Sequence, residues 1–207
     1  MTLSAALAGY AIGSVPTAGF IGGLWGVNLR RLGSGNPGTH NALRNGGPLL
    51  AAIVLVVEAA KGYGAVWIGF ALVGDLGAVV AGAAAVAGNV YNLWYRFQGG
   101  KGLGISLGVL AAVWPTVIPV VVVVIVVAVI ATRSSGAAAL AAMAGLILSA
   151  VMWEVNDWPT GGVAADPPVM PLAPTMTLVM FEKHWRDARF RGPARRARRR
   201  RASPDHR

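Results

Sequence analysis

Cysteine is absent from the 207 residues, which excludes disulfides and thiolate sites. Acids are scarce as well: Asp and Glu number 8 against 18 Lys and Arg. The acids and the 3 histidines do not cluster, so no metal site is evident and no cofactor is expected. No basic residue precedes the first apolar stretch within Met1 to Gly26, which argues against a cleaved secretory signal and for a retained first spanning helix. The chain has no Ser-His-Asp or paired-carboxylate arrangement, which speaks against a covalent acyl-enzyme. Neither a G-x-x-x-x-G-K-[ST] loop for a nucleotide nor a long-period or inverted repeat is found.

Apolar sequence is abundant, in seven segments at roughly 3–27, 48–72, 75–94, 102–115, 117–131, 137–153 and 168–182. A membrane span needs about 20 helical residues, so the fourth and fifth are short, with Pro115 and Pro119 between them. Seven spans put Arg30, Arg31, Arg44, Arg96, Lys101, Arg133 and the basic tail on one side, and Asp75, Glu154, Asp157 and Asp166 on the other. One long kinked helix from Leu103 to Ala131 would instead send Arg133 and the tail outside, against the positive-inside rule. The expectation is an all-α integral membrane protein of about seven transmembrane helices, N-terminus outside and C-terminus cytoplasmic. Residues 1–192 form its multi-pass domain in the cell membrane, and 193–207 a basic cytoplasmic tail expected to be disordered. Arg195, Arg196 and Arg198 to Arg201 suit anionic lipid head groups, while the apolar body excludes a soluble nucleic-acid binder. Glu154 to Pro174 reads as an irregular external loop, and Val120 to Val127 as lipid-facing filler.

Four polar features interrupt this apolar chain. The stretch from Asn28 to Gly47 interleaves Gly33, Gly35 and Gly38 with Ser34, Asn36 and Asn41, and carries Arg30, Arg31 and Arg44. Glycines permit close backbone approach and arginine forks suit phosphate, so the stretch reads as an anion cradle. A cytoplasmic loop that only fixes topology would need the arginines but not this glycine pattern. Glu58 and Lys61 share a helix face in an apolar segment, as a structural ion pair or part of a site. Gly99-Gly100-Lys101-Gly102 opens the next segment, where a helix N-terminus favours an anion. His184, in the stretch from Glu182 to Arg189, reads either as a general base or as an ordinary interfacial histidine.

Taken in order, these stretches resemble one family, the acyl-phosphate:glycerol-3-phosphate acyltransferases of bacterial membranes (PlsY). Gly13-Ser14-Val15-Pro16-Thr17, Leu29 to Gly38 and Asn41 to Arg44 resemble its first signature. Glu58-Ala59-Ala60-Lys61-Gly62, Phe97 to Gly102 and, more loosely, His184 to Arg191 resemble the signatures that follow. The chain differs from the pattern at Asn28, Thr39, His40, Glu58, Gly104, Ile105, Ser134 to Gly136 and Asp187, and has Asn89 where a histidine is usual. The resemblance implies transfer of a fatty acyl group from acyl phosphate to glycerol 3-phosphate, giving lysophosphatidic acid and phosphate, at a cytoplasmic face among membrane lipids. It implies substrate binding by Arg30, Gly33, Gly35, Asn36, Gly38, Asn41, Arg44, Gly99 and Gly100, with Ser34, Lys101 and His184 catalytic. The base would be His184 or a substrate phosphate. A small anion transporter and a catalytically silent relative with a scaffold role stand as the alternatives.

Overall fold

The computed structural model describes residues 1–190. The tail expected over 193–207 lies outside the described residues. Within them the chain forms helices and turns and no strand, as suits a medium without water, where a helix satisfies its own backbone.

The first apolar segment is two helices, α1 (Thr2–Ser14) and α2 (Thr17–Leu24), instead of one. The break falls at Val15 and Pro16, because proline has no N–H to continue the ladder. The long α3 (Thr39–Val90) is interrupted at Gly47 and Gly74, whose φ of 85° and 68° are not helical. It therefore comprises stretches 39–46, 48–73 and 75–90. The last two fold back on each other, with Gly69 and Gly77 packed backbone to backbone.

Three helices, α4 (Leu103–Val113), α5 (Ile118–Thr132) and α6 (Ser135–Asn156), precede α7 (Val169–Phe190). A one-turn 3-10 segment at Pro115–Val117 separates α4 from α5, at the prolines that suggested a turn. The irregular stretch expected over Glu154 to Pro174 is shorter than that. Glu154 to Asn156 complete α6, and α7 already includes Pro174, leaving 157–168 irregular.

Small residues set the packing distances. Gly9 and Gly13, four apart on α1, are buried against the backbones of Ala81 and Ala85, and Gly88 of α3 sits against Tyr10 and Ser14. Gly108 of α4 meets Ala59 in the same way, so α1 and α4 both pack closely on α3. Val66, Val86, Ile105, Val109, Trp114 and Met176 lie in the main core. Only Ala128 of α5 is buried; Val122, Val123, Val126 and Val127 face outward. Four stretches are long and apolar enough to cross a membrane: Thr2–Leu24, Thr39–Tyr95, Pro115–Thr132 and Ser135–Asn156.

The packing at Gly13 predicts that Gly13→Val lowers stability by about 1–3 kcal/mol, because neighbouring backbone must yield. Gly23, with open space around it, should accept alanine without loss. Thermal unfolding in detergent checks both.

Candidate active site

Asn41, buried near the start of α3, organises the polar loop before it. Its Nδ2 donates to the carbonyls of Leu29 (2.7 Å) and Leu32 (3.0 Å), and its Oδ1 accepts from Ser34 N (3.0 Å) and Asn45 Nδ2 (3.0 Å). The chain can reverse here because Gly33 and Gly35 take φ of 60° and 70°. The loop satisfies itself. Gly35 N donates to Leu32 O, Asn36 N to Ser34 Oγ, and Gly38 N to Asn36 O. The anion cradle expected from N–H groups is therefore occupied internally at Ser34, Gly35, Asn36 and Gly38. Side chains remain for a ligand: Ser34 and Asn36 are half-buried, and Arg44 is exposed with no bonded partner among the described residues. Arg30 stacks on the Tyr95 ring, 3.9 Å from its centroid.

Glu58 lies buried between α2 and the two long arms of α3. Thr17 Oγ1 and Asn89 Nδ2 (2.5 Å) donate to its carboxylate, and Lys61 Nζ pairs with it at 3.3 Å. Lys61 also donates to Val15 O at 2.7 Å, the carbonyl exposed where Pro16 breaks the first helix. Val15 O also accepts from Thr17 N at 2.9 Å, so Lys61 is the second donor to a carbonyl at the break. A void of about 10 Å³, room for one water, adjoins Glu58, Asn89 and Tyr95. Beyond Tyr95 and Arg30 an open groove of about 440 Å³ runs along Gly19, Gly23 and Val27.

The Gly99-Gly100-Lys101 turn meets this network through Asn89, whose carbonyl accepts from Gly100 N at 2.9 Å. Gly99 N donates to Val90 O at 3.0 Å, so neither glycine N–H is offered to a ligand; what the glycines supply is space. A methyl at Gly100 would press on Asn89 Oδ1 and lie 3.7 Å from Pro37 O, which places the first loop beside the turn. α7 holds the turn from the other side. Lys183 Nζ donates to the carbonyls of Val90 (2.8 Å), Gly99 (2.8 Å) and Gly100 (2.9 Å), while Lys101 Nζ is paired with Asp187.

His184 lies past the apolar segment 168–182 and is 2% exposed. Burial pushes its imidazole down to about 4, so the ring is neutral near pH 7. Its Nε2 is 3.1 Å from Lys101 O, which as a carbonyl can only accept, so Nε2 carries the proton. Nδ1 is buried without a partner.

The three polar stretches and the Glu58 pair therefore meet at one end of the helices. Sequence reasoning passed over Lys183, a charge directly beside His184. Asn89 was noticed only as a departure; its place beside Glu58 depends on the fold-back at Gly74.

Removing the Glu58 carboxylate alone leaves the half-buried Lys61 ammonium without its counter-charge. Glu58→Leu should cost about 3–5 kcal/mol, and Glu58→Leu with Lys61→Met less than the two single losses added. A double-mutant cycle on thermal stability measures the coupling; additive losses would remove the pair from the account.

Residues 3–190 match the family model described as glycerol-3-phosphate acyltransferase. A relative of that name from Synechococcus sp. (strain JA-3-3Ab) is 41% identical over 157 residues, covering 75% of this chain and 76% of its own. One from Rhizobium johnstonii is 32% identical over 185 residues, covering 89% and 84%. The crystal structure of PlsY (YgiH), an integral membrane glycerol 3-phosphate acyltransferase in its glycerol 3-phosphate form, superposes with a TM-score of 0.74. It is 27% identical, with 91% of this chain and 90% of that one covered. The lysophosphatidic acid form of the same enzyme gives a TM-score of 0.72.

Proposed function

This chain belongs to the glycerol-3-phosphate acyltransferase family, and we propose that it transfers a fatty acyl group from acyl phosphate to glycerol 3-phosphate. The products are lysophosphatidic acid and inorganic phosphate. The observation that carries the reading is the convergence of polar stretches on Lys101, whose carbonyl and ammonium are both held by α7. Both substrates bring phosphate, and the arginines and Lys101 supply the matching charge.

In this mechanism Arg44, Arg30 and the side chains of Ser34 and Asn36 grip phosphate. Asn41, Gly33, Gly35 and Gly38 shape the loop that presents them, while Gly99 and Gly100 leave the turn room to approach. The glycerol hydroxyl oxygen attacks the acyl carbonyl carbon, the bond from that carbon to the phosphate oxygen breaks, and Lys101 neutralises the charge gathering on the leaving phosphate. The hydroxyl proton passes to a substrate phosphate, because the N–H of His184 is committed to Lys101 O and its other ring nitrogen is buried. His184 then serves by holding Lys101. The acyl chain stays among membrane lipids.

The same reading places seven spans in the cell membrane, with the N-terminus outside and the active face and C-terminus cytoplasmic. Support comes from the ends of the bundle: Arg30, Arg44 and Lys101 belong to one end, and Asp75 receives Asp166 N at the other. Since the chain lacks cysteine, single cysteines report topology cleanly. A membrane-impermeant maleimide on intact cells should label Asp157→Cys and spare Arg133→Cys; the reverse pattern would invert the orientation.

Purified protein given palmitoyl phosphate should release phosphate only with glycerol 3-phosphate present, in step with lysophosphatidic acid. Arg44→Ala and Lys101→Ala should each lower the rate about 10²-fold or more while folded yield holds. Loss of yield in proportion to activity would assign them structural roles.

A further inference from the structure

Resting on the acyltransferase reading, we propose that Lys183 is a positioning residue for the reaction. Its ammonium gathers the Val90, Gly99 and Gly100 carbonyls and so holds the turn in the one arrangement that presents Lys101 to the substrate phosphates.

A lysine ammonium has three N–H donors, and here three carbonyl oxygens lie within 2.9 Å of it. The count closes, leaving no donor for a substrate. Lys183 is therefore not another phosphate ligand, although it stands beside His184. The three oxygens come from two separate pieces of chain, the end of α3 and the turn; Val90 O also accepts from Gly99 N, but without a cation the Gly99 and Gly100 carbonyls would be unpaired acceptors facing one another. The next residue, His184, holds the carbonyl of Lys101 itself. Residues 183 and 184 together fix Gly99, Gly100 and Lys101 in succession. Two adjacent glycines have the widest backbone freedom of any pair and would relax once the ammonium is gone. Lys101 would then lose its aim, and misplacement by about 1 Å can cost about 10²-fold in rate. The site also dictates residue type. A compact ammonium suits three converging carbonyls, whereas the planar guanidinium fork does not.

Truncating the side chain leaves a carbonyl-lined space that a small primary ammonium ion can enter. Wild type, Lys183→Ala, Lys183→Met and Lys183→Arg would be purified in detergent and assayed with palmitoyl phosphate and glycerol 3-phosphate. Each would be measured with methylammonium or tetramethylammonium chloride at equal ionic strength, alongside its thermal midpoint. Lys183→Ala should lose about 30- to 100-fold in kcat, with KM for either substrate moving by less than about threefold. Methylammonium should recover about tenfold or more of that kcat and raise the thermal midpoint of this variant alone. Tetramethylammonium, which has no N–H, should do neither, and Lys183→Arg should stay impaired.

Wild-type kcat in Lys183→Ala or Lys183→Met would overturn the proposal. A loss that methylammonium leaves untouched in both rate and midpoint would overturn it too, as would failure of Lys183→Ala and Lys183→Met to fold even with the amine present. A wild type without glycerol 3-phosphate-dependent turnover would instead sink the acyltransferase reading. The amine's effect on the midpoint of Lys183→Ala would still decide whether the carbonyl site exists.

Discussion

A carboxylate at membrane depth must be neutralised where it stands, and the arrangement of this protein follows from how Glu58 meets that demand. Its partners come from three places: Lys61 one turn along the same helix, Thr17 just past the first break, and Asn89 on the returning arm of α3. None can be supplied unless the first helix breaks at Pro16 and α3 folds back at Gly74. The ion pair thus ties backbone irregularities that would be costly alone into one satisfied cluster. Through Asn89 the cluster reaches Gly100, and so the turn that carries Lys101.

The loops are prebuilt. Asn41 consumes the free valences of the first loop, and Asn89, Lys183 and His184 consume those of the second. What faces a ligand is a set of side chains on a backbone that is already hydrogen-bonded. Such a site need not reorganise its main chain when phosphate arrives, which is the physical content of preorganisation. The division also separates two kinds of positive charge. Lys183 is spent on carbonyls inside the protein, while Arg44 stands outside.

The helical membrane architecture was legible because apolar length and proline placement are strong signals, as at Pro115 and Pro119. The polar stretches were legible for a similar reason, since glycine, asparagine and arginine have little other purpose between apolar segments. What the sequence hid was the use made of individual donors. Gly-Gly-Lys-Gly looks like a row of free N–H groups, and only the fold shows Val90 and Asn89 taking two of them. Lys183 was overlooked because three backbone carbonyls leave no trace in composition. His184 read either as a base or as an ordinary interfacial histidine, because the carbonyl that occupies its N–H belongs to a residue 83 positions away.

The brevity of α4 bears on where the chemistry happens. Its 11 residues rise roughly 16 Å at 1.5 Å each, about half of a hydrocarbon core roughly 30 Å thick. α4 ends against the loop that carries Thr160 and Val163, at the acidic end of the bundle, and begins two residues after Lys101. In the proposed orientation the turn is drawn down towards the bilayer's interior. An amphiphilic donor could then present its reacting carbonyl at the depth where its own chain anchors it. The water-soluble acceptor, and not the lipid, would make the journey.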